Sequence, residues 1–65
     1  MKLIINGEQH ELSSATLADL LAALDYEGDW LATAVNGDLV PRTERDRVTL
    51  NDGDRIEILA PKQGG

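Results

Sequence analysis

The sequence predicts an α+β fold in which one helix packs against one mixed β-sheet. The helix is predicted by leucines at positions 17, 20, 21 and 24, whose spacing puts them on one helical face. Hairpins are predicted by two Asn-Gly pairs, because both central positions of a tight hairpin turn favour a positive φ. The chain has 65 residues, which is the size of one small domain.

The first hairpin is predicted at the start of the chain. Leu3 to Ile5 form a short aliphatic strand, and Asn6-Gly7 supply the turn. The return strand, residues 8–12, is polar. We therefore expect it at an edge of the sheet.

The helix is predicted from Leu17 to Asp25, or to Tyr26. Thr16 is the best candidate for the N-cap, and Asp19, three residues later, is its capping-box partner. Gly28 is expected to end this segment, because glycine readily takes the left-handed conformation found after helices.

The second hairpin is predicted to follow the helix. Its first strand runs from Trp30 to Asn36, and Asp38 to Val40 return after the Asn36-Gly37 turn. Pro41 ends the return strand because it cannot donate to a ladder. Residues 42–47 carry charges of alternating sign, which favours a solvated loop or a helical turn.

Two further strands are predicted before the end of the domain. Val48 to Leu50 form a short one, residues 51–54 a tight turn, and Arg55 to Leu59 the last strand. The first and last strands are the most aliphatic, so we expect them to be central, parallel neighbours. This arrangement is a ubiquitin-like β-grasp over residues 1–60, a four- to five-stranded mixed sheet packed on one helix. The expected core is Leu3, Ile5, Leu17, Leu20, Leu21, Leu24, Val35, Leu50, Ile56 and Ile58.

The composition argues against an enzyme. There is no cysteine, which rules out disulfides, cysteine-based zinc sites and a cysteine nucleophile. His10 is the only histidine, so a multi-histidine metal site is impossible. We interpret His10 as a polar residue of an edge strand, because no residue spacing suggests a triad. No glycine pattern matches a phosphate-binding loop.

The charge and hydropathy exclude two classes of partner. The net charge is −6, from 12 acidic and 6 basic residues. Nucleic acids and anionic membranes both favour cationic surfaces, so neither is expected as a partner. No apolar run approaches the ~20 residues of a membrane span, and the apolar start of the chain is too short for a signal peptide. Together with the absence of cysteine, this predicts a cytoplasmic protein.

The last five residues, 61–65, are predicted to be a flexible tail. A Gly-Gly end arises by chance in only about 0.5% of chains. The ordinary interpretations are a frayed end or an expression scar. A reactive end is the alternative, because five extended residues reach about 16 Å and glycines pass through narrow channels. The backbone carboxylate of Gly65 would then react, and Gly64 would give it passage.

Three segments of the chain resemble the ThiS family, the sulfur carriers of thiamin biosynthesis. They are Ala-Val-Asn-Gly-Asp-Leu-Val-Pro-Arg at 34–42, Leu-Asn-Asp-Gly-Asp-Arg-Ile-Glu-Ile at 50–58, and the terminal Gly64-Gly65. The resemblance covers essentially the whole chain. The connection at 28–30 and the charged loop depart from the family pattern.

The resemblance implies that the protein is a co-substrate of other enzymes. An E1-like adenylyltransferase would use ATP to convert the Gly65 carboxylate to an acyl-adenylate. A persulfide on a sulfur-donor enzyme would displace AMP, and the resulting thiocarboxylate would pass its sulfur to thiazole synthase. ATP, Mg²⁺ and any zinc would belong to the partner, so no bound cofactor is expected in this chain.

A docking surface for these partners is expected on the sheet face opposite the helix. Side chains alternate along a strand, so Ile4 and Leu59 point away from the core. We expect them to lie together beside the start of the tail, forming a docking pair. Arg42, in the Val-Pro-Arg segment, is a weaker docking candidate.

Three other functions remain open from the sequence. The chain could complete the active site of another enzyme with its tail, as the small subunit of molybdopterin synthase does. It could be a non-catalytic β-grasp interaction module with an inert tail. Conjugation to lysines as a protein modifier is the weakest of the three.

Overall fold

A computed structural model gives the fold and describes residues 1–26 and 30–60. Within these residues the chain forms one α-helix, one 3₁₀ helix and five strands. The elements are β1 Lys2–Ile5, β2 Glu8–Glu11, α1 Leu17–Ala23, β3 Ala32–Val35, β4 Asp38–Val40, the 3₁₀ helix Arg42–Glu44, and β5 Arg55–Leu59.

The five strands form a single mixed sheet in the order β2-β1-β5-β3-β4. β1 and β5 are parallel neighbours, and every other pair is antiparallel. The predicted architecture, with the first and last strands at the centre, is therefore confirmed. The polar strand β2 lies at an edge, as expected.

Both Asn-Gly turns are confirmed. Asn6 and Gly7 have φ values of 50° and 83°, and Asn36 and Gly37 have values of 52° and 87°. Two consecutive residues with positive φ define the turn type that matches the twist of a hairpin.

The start of α1 is confirmed, but its end lies earlier than predicted. The hydroxyl of Thr16 accepts a hydrogen bond from the Asp19 amide at 3.2 Å. The helix ends at Ala23, and Asp25 takes the left-handed conformation with a φ of 63°. The amide of Tyr26 then donates to the carbonyl of Leu21 at 2.9 Å. This is a Schellman ending in which Asp25 has the role predicted for Gly28, which lies outside the described residues.

The prediction of a strand at residues 48–50 is wrong. Thr49 forms only an isolated bridge with Thr16. The physical reason is that this segment closes the start of the helix: the Leu17 amide donates to the Val48 carbonyl, and the Leu50 amide donates to the Ala15 carbonyl, both at 3.0 Å.

The hydrophobic core lies between α1 and the sheet and contains most of the predicted residues. Leu24 and Val35 are only partly buried, while Val40, which was not predicted, is buried. Val40 pairs with Thr33 and faces inward with it. The buried hydrophobic side chains are Leu3, Ile5, Leu17, Leu20, Leu21, Val40, Leu50, Ile56 and Ile58.

The expectation of a solvated charged segment is wrong at Arg45, which is only 7% exposed. A helical turn does form, and it directs this side chain under the second hairpin. Nη2 of Arg45 donates to the Leu31 carbonyl at 2.6 Å, and Nε donates to Oγ1 of Thr33 at 3.2 Å. The Thr33 hydroxyl in turn donates to the Val40 carbonyl at 2.9 Å. The guanidinium thus links the charged segment to the β3 side of the hairpin, and the Thr33 hydroxyl carries the network on to β4.

Truncating Leu20 to alanine tests the core. Leu20 is fully buried, so the variant is expected to lower the free energy of unfolding by about 2–5 kcal/mol. The matched control is Leu39→Ala, because the Leu39 side chain is 76% exposed. Urea denaturation measures both variants, and equal losses in the two would contradict this assignment of the core.

Replacing Arg45 by methionine tests the buried network. Methionine keeps much of the aliphatic volume but leaves the Leu31 carbonyl and the Thr33 hydroxyl without their donor. We expect a loss of about 1–3 kcal/mol in the free energy of unfolding. Arg47→Met is the control, since Arg47 is exposed in the same segment. A loss no larger than that of the control would show that the network adds nothing to stability.

Candidate functional site

The residues predicted to react, Gly64 and Gly65, lie outside the described residues. The structure does describe the surface from which they continue along the chain. β5 ends at Leu59, and Leu59 and Ala60 are both exposed. Residues 61–65 follow directly in the sequence, so the end of β5 is the root of the tail.

The root of the tail is held along both edges of β5. On one side, Leu59 pairs with Ala32 of β3. On the other, the side chain of Asn6 bonds the peptide groups of Ile58: Oδ1 accepts from the Ile58 amide at 2.8 Å, and Nδ2 donates to its carbonyl at 3.1 Å. Ile58 itself is buried, so the root of the tail at Leu59 lies one residue after a core position.

The sheet face opposite α1 is here called the outer face. It carries a shallow depression of about 740 Å³ that spans β1, β5, β3 and β4. The outward side chains that line it are mostly apolar, with one cation and one carboxylate among them. They are Ile4, Ala32, Ala34, Leu39, Arg55, Glu57 and Leu59.

Both predicted docking residues of the central strands lie on the outer face, but they are not neighbours. Ile4 is partly buried and pairs with Arg55, whereas Leu59 is 73% exposed and pairs with Ala32. They are thus separated by four positions along β5, or about 13 Å, with Glu57 between them. The expected adjacent pair is wrong for this reason: β5 runs past the end of β1.

Arg42 lies beyond the end of β4. It is exposed and begins the 3₁₀ helix that follows β4. It does not line the outer-face depression.

Sequence reasoning missed two exposed side chains, Leu39 and Trp30. Leu39 pairs with Ala34, lines the depression and is 76% exposed. Alternation with Val40 on the same strand could have identified it. Trp30 is 79% exposed and precedes β3 by two residues. Because the start of β3 pairs with the end of β5, Trp30 belongs to the end of the sheet from which the tail leaves.

The described residues offer no assembled catalytic or metal-binding group. His10 lies on the edge strand β2, where its Nε2 is 3.4 Å from a carboxylate oxygen of the exposed Glu8. Within residues 1–26 and 30–60 there is no cluster of three or more side chains that could hold a metal ion. The same residues contain no helix with the length and hydropathy needed to cross a membrane.

Comparison with known proteins identifies the family. The model of the ThiS family matches residues 3–65, which is nearly the whole chain and includes the terminal Gly64-Gly65. The chain belongs to the ThiS family.

Two solved ThiS structures share the fold. The crystal structure of the thiamine biosynthesis protein ThiS from Geobacter metallireducens is 30% identical, with full coverage of both chains and a TM-score of 0.84. An NMR structure of a thiamine biosynthesis protein from the same organism is 30% identical and covers all of this chain and 88% of the other, with a TM-score of 0.85. The predicted β-grasp fold is therefore confirmed.

A similar segment occurs within a larger protein. A protein of Paramagnetospirillum magneticum named thiazole synthase is 41% identical over 66 residues, covering 100% of this chain. The chain spans only 20% of the length of that relative.

Proposed function

We propose that this ThiS-family protein is a sulfur carrier of thiamin biosynthesis that reacts through its C-terminal carboxylate. The observation that carries the proposal is the family match, which runs through residue 65. The fold supports it, because the root of the tail is the end of the central strand β5. In the proposed cycle Gly65 is activated, loaded with sulfur and then unloaded.

The chemistry follows from the poor reactivity of a carboxylate. Attack of the Gly65 carboxylate on ATP gives an acyl-adenylate and releases pyrophosphate. The AMP of the acyl-adenylate is a good leaving group. A persulfide sulfur of a partner cysteine attacks the acyl carbon and displaces AMP, and a thiol then cleaves the S–S bond. The thiocarboxylate that remains is nucleophilic. Splitting a hard substitution into two easier ones is the usual logic of covalent catalysis.

The proposed partners are an E1-like adenylyltransferase, a sulfur donor that carries a persulfide, and thiazole synthase. The last of these is supported by the Paramagnetospirillum protein, in which a ThiS-like segment is part of a protein named thiazole synthase. We place the cycle in the cytoplasm, where ATP is available.

Intact-mass spectrometry tests the proposed function directly. Protein isolated from cells starved of thiamin is expected to carry sulfur in place of one oxygen, and fragmentation should locate the change at Gly65. Protein from thiamin-fed cells is the control. An unchanged mass in starved cells that contain the adenylyltransferase would contradict the proposal.

Truncation of the tail gives a sharper prediction. Deleting Gly65 is expected to abolish ATP-dependent activation, measured as pyrophosphate release, because the carboxylate is withdrawn by one residue. The melting temperature should barely change, since the buried hydrophobic side chains of the described residues lie between Leu3 and Ile58. Gly64→Trp should also block activation, by filling a narrow channel, whereas Gln63→Ala should not. Normal adenylation of a chain ending at Gly64 would contradict the assignment of Gly65.

We further propose that the outer face docks the adenylyltransferase through Ile4 and Leu59, with Leu39 beside them. A mostly apolar face next to a reactive end is suited to a protein partner, and Arg55 and Glu57 can fix its orientation. Arg42, outside the depression, is proposed only as a peripheral contact, and Arg42→Ala should have a smaller effect than changes at the outer face.

The docking proposal predicts that Ile4→Glu combined with Leu59→Glu lowers kcat/KM for activation by about tenfold or more, because docking would then bury carboxylates without partners. Leu59→Glu alone is the cleaner variant, since Leu59 is 73% exposed. Ala22→Glu, on the exposed side of α1, adds the same charge to the opposite layer and serves as the control. Activation at the wild-type rate by a folded double variant would exclude this face.

A further inference from the structure

The parallel ladder between β1 and β5 stops before β5 does. β1 ends at Ile5, and the chain then turns with a φ of 50° at Asn6. The Asn6 amide makes the last main-chain bond, to the Ile56 carbonyl at 2.9 Å. β5 continues to Leu59, so the peptide groups of Ile58 that face β1 have no strand beside them.

The side chain of Asn6 takes the place of that missing strand. Its carboxamide accepts from the Ile58 amide at 2.8 Å and donates to the Ile58 carbonyl at 3.1 Å. A carboxamide presents the same donor and acceptor as a peptide group, so it can extend a ladder by one step. Because the Ile58 side chain is only 5% exposed, its peptide groups would be costly to leave unpaired.

We propose that Asn6 is a positioning residue for the transfer reaction: its carboxamide fixes the root of the tail and thereby sets where the Gly65 carboxylate can reach. This inference rests on the proposed function of Gly65. Without the carboxamide, the last step of β5 would be held only from the β3 side, through the pairing of Leu59 with Ala32. Asn6 acts at Ile58, seven residues before Gly65 in the sequence, so its effect is on the point and direction from which the tail leaves the sheet and not on the reacting atoms directly.

Asparagine suits both tasks of residue 6, which are to form the turn and to bond the peptide groups of Ile58. Asparagine tolerates the left-handed conformation that the turn demands. Glycine would satisfy the turn and provide no carboxamide. Aspartate would still accept from the Ile58 amide, but it would place a second oxygen against the Ile58 carbonyl.

The chain contains a matched control at the other end of β5. Asn36 has a φ of 52° and opens the second Asn-Gly turn. Its Oδ1 accepts from the Arg55 amide at 2.9 Å, and its Nδ2 donates to Asp54 Oδ1 at 2.9 Å. Asn36 therefore has the same turn position and also bonds β5, but it lies at the end of the strand that is remote from the tail.

The experiment compares Asn6→Gly, Asn6→Asp and Asn36→Gly with the wild type. Hydrogen exchange followed by NMR should show lost protection of the Ile58 amide in Asn6→Gly, with the Ile56 amide still protected. Steady-state adenylation should show kcat lowered about tenfold with KM changed by less than about twofold, the pattern of a lost interaction that acts on the reacting geometry rather than on docking. Asn6→Asp should fall between Asn6→Gly and the wild type, and Asn36→Gly should keep the wild-type kcat.

Four outcomes would overturn the inference. They are retained protection of the Ile58 amide in Asn6→Gly, an unchanged kcat, an equal fall of kcat in Asn36→Gly, and a rise of KM alone, which would make Asn6 a docking contact. If Asn6→Gly does not fold, Asn6→Asp carries the kinetic test. A wild-type chain that is not adenylated overturns the proposed function together with the role of Asn6, whereas wild-type adenylation with an unaffected Asn6→Gly overturns the role of Asn6 alone.

Discussion

The pairing of β5 with two strands at once is the constraint on which this fold depends. β5 is parallel to β1 and antiparallel to β3, so it joins a hairpin from each half of the chain into one sheet. Its isoleucines, Ile56 and Ile58, are buried against the core. Because β1 and β5 lie at opposite ends of the sequence, the core closes only when the last strand has arrived. Non-local pairing of this kind carries a loop-closure cost that local hairpins avoid.

The two faces of β5 separate the core from the surface proposed for docking. Ile56 and Ile58 face α1, while Glu57 and Leu59 face solvent on the outer face. Alternation makes this division automatic, since neighbouring residues of a strand point to opposite sides. One strand can therefore hold the core together, contribute to a docking surface and lead into the tail. Substitutions at its outward positions therefore alter the outer face without opening the core.

Features encoded by neighbouring residues could be predicted from the sequence. The two Asn-Gly turns and the leucine stripe of α1 depend on local backbone preference and on a fixed period. The burial of Arg45 could not be predicted, because its partners at Leu31 and Thr33 become neighbours only after the second hairpin has formed. Charge patterning describes an average segment, and it fails where one guanidinium finds two oxygen acceptors inside the fold.

The candidate site also has some features that the sequence predicts and others that it does not. The alternation of side chains predicted that Ile4 and Leu59 share a face, but their separation depends on the register of β1 against β5, which no local pattern specifies. Likewise, Asn6 was predicted only as a turn residue. Its two bonds to Ile58 arise because β5 extends beyond β1, a length difference that becomes visible only when the strands are aligned.

The net negative charge of the chain affects how fast it would encounter a partner enzyme. A partner that activates a carboxylate with ATP has to hold two anionic groups together, so its centre must supply positive charge. A carrier with a net charge of −6 is attracted to such a surface over distances longer than contact. This attraction raises the rate of encounter for any acidic protein, so it cannot by itself select the right one. On the proposed function, selection would rest on the fit of the apolar outer face to the partner and on the fixed position of the root of the tail relative to that face.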